Sequence, residues 1–108
     1  MESSIVNVVS DLKVAVVIPC YRVVPFVCDV IDKIGPEVIA IYCVDDKCPD
    51  GSGKHIATNC NDPRVQVIYN EKNLGVGGAT LAGYRQAAED GADVLVKVDG
   101  DGQMDPAL

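Results

Sequence analysis

Apolar residues gather in four short runs: Val14-Ala15-Val16-Val17-Ile18, Val38-Ile39-Ala40-Ile41-Tyr42-Cys43-Val44, Val65-Gln66-Val67-Ile68-Tyr69 and Val94-Leu95-Val96-Lys97-Val98. Runs of this length, rich in β-branched residues and lacking strict alternation, read as strands of a parallel sheet covered on both faces. The first run halts at Pro19. Pro25 then stands where a helix can begin, and Val27, Val30, Ile31 and Ile34 follow at i, i+3, i+4 and i+7 before the stop at Gly35-Pro36. Turn residues Pro49-Asp50-Gly51-Ser52-Gly53 precede a weak helix over about Lys54–Asn59. After the third run, the glycine-rich crossing Asn70–Gly78 leads into a helix from about Ala79 to Asp90, stopped by Gly91. Small side chains at Ala79, Ala82 and Gly83 let that helix approach the sheet closely. Residues 1–12 read as a loose leader, with Ser3, Ser4, Asn7 and Ser10 among the apolar positions.

The order β-α-β-α-β-α-β calls for right-handed crossovers, and so for a three-layer α/β/α fold around a four-stranded, parallel, Rossmann-like sheet. Ligands of such sheets bind outside the carboxyl ends of the strands. Three clusters fall at those ends: Pro19-Cys20-Tyr21, Asp45-Asp46 and Asp99-Gly100-Asp101.

Composition narrows the classes. The chain has 108 residues, 48% hydrophobic and 23% charged, which suits one small folded domain with no internal repeat or linker. Its net charge of −7 argues against a nucleic-acid surface and against an anionic membrane surface. No window approaches the roughly 18 apolar residues of a membrane span. Cys20, Cys28, Cys43, Cys48 and Cys60 form no C-x-x-C pair, and Met1–Asp11 has no basic n-region. Reduced thiols in a cytoplasmic protein, without a zinc site, are the expectation.

The last strand ends in Asp99-Gly100-Asp101-Gly102-Gln103-Met104-Asp105-Pro106. Clustered carboxylates repel one another, and a divalent cation relieves the repulsion. In an extended segment Asp99, Asp101 and Gln103 point the same way, so their oxygens can face one ion while a diphosphate completes its shell. The plainer reading is an acidic surface turn. An EF-hand loop is excluded because its sixth position, a glycine, is Met104 here. Asp45 and Asp46 either accept hydrogen bonds from a nucleobase or ribose or cap a loop. Gly75-Val76-Gly77-Gly78 either brings backbone N–H groups to a phosphate or packs a tight crossover, and it matches neither the dinucleotide fingerprint nor a P-loop. Lys97 must snorkel or find a carboxylate, and His55 is assigned no role.

Val17-Ile18-Pro19-Cys20-Tyr21, Val44-Asp45-Asp46 with Asp50-Gly51-Ser52, Asn73-Leu74-Gly75-Val76-Gly77-Gly78-Ala79 and the Asp99–Pro106 motif occur in series. Together they resemble the amino-terminal, nucleotide-sugar-binding half of the family-two glycosyltransferases of GT-A fold, most of all the polyprenyl- or dolichyl-phosphate sugar synthase branch, over residues 13–108. The resemblance implies an inverting transferase that uses a UDP- or GDP-linked sugar and Mg²⁺ or Mn²⁺. It further implies that Pro19, Tyr21, Asp45 and Asp46 line the nucleoside pocket, that Gly78 and Ala79 lie along the ribose and diphosphate, and that Asp99, Asp101 and Gln103 hold the metal, with Asp99 also against the donor. Two departures stand out. Arg22-Val23 follow the tyrosine, and Lys47-Cys48 replace a Gly-Ser pair after the twin aspartates.

In the family the acceptor site follows the acidic motif, and this sequence stops at Leu108. The expectation is therefore a truncated donor-binding part, inactive or nearly so by itself and carrying no catalytic base. An open sheet edge inviting self-association goes with it, and the intact protein is expected in the cytoplasm or on the cytoplasmic face of a membrane. A non-catalytic nucleotide-sugar-binding module and a sugar nucleotidyltransferase are the alternatives. The second lacks its glycine-rich, lysine-bearing signature after the first strand.

Overall fold

A computed structural model describes residues 12–101. It contains β1 (Val14–Cys20), α1 (Val27–Asp32), β2 (Val38–Asp45), α2 (Ser52–Asn59), β3 (Val65–Tyr69), α3 (Gly75–Glu89) and β4 (Val94–Lys97). The expected leader up to Asp11 and the Gly102–Pro106 part of the acidic motif lie outside the described residues.

All pairings are parallel, and the strand order is β3-β2-β1-β4. The four-stranded, Rossmann-like α/β sheet is as expected. Two apolar layers explain the continuous hydrophobic runs. Val16, Ile18 and Cys20 of β1 pack with Val27, Val30, Ile31 and Ile56 beneath α1 and α2. Ala15 and Val17 point the other way, joining Tyr42, Val44, Ala79 and Ala87 beneath α3. Most positions of the two central strands are buried on one side or the other, with Ile39 the exposed exception, so no polar alternation survives there. The edge strands β3 and β4 are only half-buried, with Tyr69 and Val96 exposed.

α3 lies against the sheet along Ala79, Gly83 and Ala87, which are four residues apart and share one face. A Cβ on Gly83 would collide with Val17 Cγ1 and come within 3.1 Å of Val44 Cγ2, so glycine sets how closely helix and sheet approach.

Four expectations need correction. β1 does not halt at Pro19 but continues through the pairs Pro19↔Val44 and Cys20↔Asp45. The reason lies in the ladder. Val17 accepts from the Val98 N–H on the β4 side, so Pro19, two residues on, also faces β4, whose pairing with β1 has already ended at Val17↔Lys97. The missing proline N–H therefore costs no ladder bond. α3 begins at Gly75 rather than Ala79, so the glycine-rich crossing forms its first turn. Asp99–Asp101 is not extended, because β4 ends at Lys97 and a turn follows. Finally, Cys28 and Cys60 form a disulfide with a Cα–Cα distance of 5.7 Å, tying α1 to the residue that closes α2. Their separation of 32 residues left no local signature. Cys20, Cys43 and Cys48 are free. The bridge removes the argument for a cytoplasmic setting from reduced thiols. Among the described residues, no helix is long and apolar enough to cross a membrane.

Candidate functional site

The chain builds β1, β2 and β3 outward in one direction and then returns to place β4 on the other side of β1. α1 and α2 cover one face and α3 the other. The carboxyl ends of β1 and β4 therefore flank a point where the winding reverses, which opens a crevice at that end of the sheet. A cleft of about 710 Å³ occupies it. Pro19, Cys20, Tyr21 and Val23 line it from β1 and the following loop, Asp46 from the end of β2, and Asn73, Gly75, Val76 and Ala79 from the start of α3. Lys97, Asp99, Gly100 and Asp101 close it from β4.

Of the residues assigned from sequence, Pro19, Tyr21, Asp46, Ala79, Asp99 and Asp101 thus meet in one cleft. Asp45 and Gly78 are not among its lining, and Gln103 is outside the described residues. Asp45 is buried and turned into the adjoining loop. Its Oδ1 accepts the Cys48 N–H at 2.7 Å, and its Oδ2 accepts the Gly53 N–H at 2.8 Å. Both oxygens therefore serve the turn into α2. Gly78 has a packing reason of its own, since a Cβ there would come within 2.5 Å of Leu74 Cβ.

Asp46 organises the opposite wall. Its Oδ1 accepts from Asn70 Nδ2 at 2.9 Å and from the Leu74 N–H at 2.8 Å, and its carbonyl accepts from Asn73 Nδ2 at 3.1 Å. Asn73 Oδ1 in turn accepts the Gly75 N–H at 3.0 Å. The first turn of α3 is thereby fastened to the end of β2. It carries no acidic side chain, and nothing would meet a Cβ at Gly75 or Gly77 within 4 Å. The first-turn N–H groups of a helix are deficient in acceptors and carry partial positive charge, which suits an anion. Asn73 was not singled out from sequence. An Asn two residues before a helix-opening Gly, able to accept a backbone N–H as in an Asx-turn, is the signal that points to it.

The acidic turn holds Asp99 and Asp101, with Gly100 buried between them. A Cβ on Gly100 would sit 3.1 Å from Ile18 Cγ2 and 3.2 Å from Val23 Cγ1, so close approach to the core, not a positive φ, asks for glycine there. Lys97 finds the carboxylate it needs: its Nζ is 3.1 Å from Asp99 Oδ1. No cluster of three or more His, Cys, Asp or Glu side chains able to hold a metal exists among the described residues. Two carboxylates are nonetheless a sufficient protein share for Mg²⁺, which is commonly bound through one or two carboxylates plus substrate phosphates.

The departures after the twin aspartates shape the floor of the loops. Lys47 has a φ of 59°, a left-handed conformation that glycine adopts without steric cost. Cys48 Sγ accepts the Arg22 N–H at 3.1 Å and lies 3.1 Å from Ser52 Oγ, joining the loops after β1 and β2. Burial raises the Cys48 pKa, but hydrogen bonds from the Ser52 hydroxyl and from the backbone at Arg22, Ser52 and Asp50 outweigh it and leave the thiol below its ordinary value. Cys20, which lines the cleft, differs: hydrogen bonding with Cys43 and then burial hold its thiol well above the ordinary value, so it stays protonated.

Residues 15–108 match the model of Glycosyl transferase family 2. The chain belongs to that family. It is 43% identical over 67 residues to an undecaprenyl-phosphate mannosyltransferase of Micrococcus luteus, an overlap covering 61% of this chain and 28% of that protein. Over 43 residues it is 51% identical to a UDP-N-acetylglucosamine–dolichyl-phosphate N-acetylglucosaminyltransferase of Methanococcus voltae, covering 40% of this chain and 17% of that one. Staphylococcus aureus TarS 1–349, solved in complex with UDP, superposes with a TM-score of 0.69 over 83% of this chain and 28% of that fragment, at 22% identity. That likeness shows the GT-A-type fold. The chain thus spans 28% and 17% of the lengths of these two relatives.

Proposed function

We propose that this chain forms the donor-binding part of a metal-dependent, inverting glycosyltransferase that uses a nucleoside-diphosphate sugar. The observation that carries the reading is the convergence of Asp46, Asp99 and Asp101 with the first turn of α3 on one cleft, at the winding reversal of a family-two sheet. TarS, with UDP bound on the same fold, supports a nucleoside diphosphate as the ligand. In this reading Tyr21 and Asp46 hold the nucleoside, the α3 N–H groups meet the diphosphate, and Asp99 and Asp101, joined by Gln103, hold Mg²⁺ or Mn²⁺. The cation supplies Lewis-acid stabilisation of the departing nucleoside diphosphate. An acceptor oxygen attacks the anomeric carbon, and the bond to the diphosphate breaks with inversion. The names of the two relatives described above include a polyprenyl phosphate, which supports an acceptor of that class and transfer at a membrane surface.

Calorimetric titration with UDP and GDP, with and without Mn²⁺, tests the reading on the wild type and on Asp101→Ala. Binding of one nucleotide that strengthens about tenfold with Mn²⁺, and loses that gain in Asp101→Ala, is expected. Metal-independent affinity that Asp101→Ala leaves unchanged, or no binding of either nucleotide, would refute it.

A further inference from the structure

Among the described residues, the charged side chains lining the cleft are Asp46, Asp99 and Asp101 on one side of the balance and Lys97 on the other. Three negative charges against one positive is an unwelcoming place for a diphosphate, and Lys97 is the lining cation among the described residues. We propose that Lys97 is the resident counter-cation of the donor's diphosphate: it neutralises Asp99 in the free protein and turns to the phosphate oxygens when a nucleoside diphosphate binds. The inference rests on the donor-site reading and adds to it a residue the acidic motif does not contain.

Placement comes first. Lys97 pairs in register with Val17 of β1, and Val17 belongs to the sheet face beneath α3. Residues directly paired in a parallel ladder share a face, so Lys97 rises on the side where Gly75, Val76 and Ala79 open their helix into the same cleft. Mobility comes second. The Lys97 and Asp99 side chains are 35% and 31% exposed, and one contact at 3.1 Å joins them. A half-exposed ion pair of this kind is worth little by itself, so an arriving phosphate with several oxygens can displace it cheaply. Chemistry comes third. A flexible ammonium with rotatable donors serves as a point charge for phosphate. While paired with Asp99, it also opposes a divalent cation at that same carboxylate.

These two roles have opposite signs, which makes them separable. Purified Lys97→Met and Lys97→Arg proteins would be titrated with UDP or GDP, whichever the wild type binds, in EDTA. Each would then be titrated with Mn²⁺ alone, followed by calorimetry or by the loss of the free-ion paramagnetic signal. Lys97→Met is expected to weaken metal-free nucleotide binding about tenfold and to tighten Mn²⁺ binding severalfold, while Lys97→Arg retains the nucleotide affinity. Lys97→Gln is measured alongside and keeps the test decisive if the methionine variant does not fold, as judged by circular dichroism. Unchanged nucleotide affinity in the neutral variants, with the wild type binding normally, overturns the inference and leaves the donor-site reading standing. So does a parallel loss of both affinities, which marks Lys97 as merely structural. A wild type that binds neither nucleotide overturns both.

Discussion

The twin aspartates make the sharpest test of the structure, because sequence alone treats them alike. Asp45 is only 6% exposed, and its two oxygens accept backbone N–H groups at 2.7 and 2.8 Å from Cys48 and Gly53. In Asp45→Asn one oxygen becomes an amide nitrogen that points a donor at a donor. One charge-assisted bond, worth roughly 1.5–3 kcal/mol, is lost, and the N–H it served is left buried without an acceptor. The negative charge near the first turn of α2 goes with it, at about 0.5 kcal/mol. Gly53 lies directly against this carboxylate, where an added Cβ would sit 2.7 Å from Asp45 Oδ2. A destabilisation of about 3 kcal/mol is expected, equivalent to a Tm lower by roughly 12–20 °C in a domain of this size. Urea unfolding followed by circular dichroism would read it as a lower midpoint at unchanged slope. Nucleotide affinity, measured where the variant is fully folded, should stay within about threefold of wild type, the scatter expected of a residue outside the cleft. A stability change below about 1 kcal/mol, or a tenfold loss of affinity in a folded variant, would refute the assignment of Asp45 to the loop.

Lys47 occupies a left-handed conformation at φ 59° where glycine would be unstrained, so Lys47→Gly should raise stability by up to about 1 kcal/mol. A lower urea midpoint for that variant would contradict the strain argument. Tyr42 donates to Asp90 Oδ2 at 2.7 Å, and burial followed by that hydrogen bond pushes its pKa up to about 12 from an ordinary value of 10. The folded state thus favours the protonated phenol: its contribution is fully present below pH 10 and is lost as pH rises from 10 to about 12, by roughly 2–3 kcal/mol. In Tyr42→Phe the alkaline fall of stability over that window should flatten, and an unaltered pH profile would remove Tyr42 as its cause.

Much of the molecule was legible before any fold was known. Strand positions followed from apolar runs, since a strand covered on both faces has no position to spare for a polar side chain. The order of elements and the right-handed crossover rule then dictated a parallel sheet and sent three polar clusters to one end of it. Element ends were less legible. Pro19 reads locally as a strand breaker, and only the early end of the β1–β4 pairing makes it harmless. Glycines at the head of α3 read as a loop, yet Asp46 and Asn73 hold that segment as a helical turn.

Apolar periodicity and chain order are enough to set a parallel α/β sheet with acidic clusters at its carboxyl edge, because both are local and cumulative properties. Folding adds that β4 lies beside β1, that Cys28 reaches Cys60, that Asp46 faces the cleft while Asp45 serves a loop, and that Lys97 stands beside Asp99. Each of those outcomes depends on a meeting of elements or on the direction a side chain takes at a turn. Neither leaves a periodic trace along the chain.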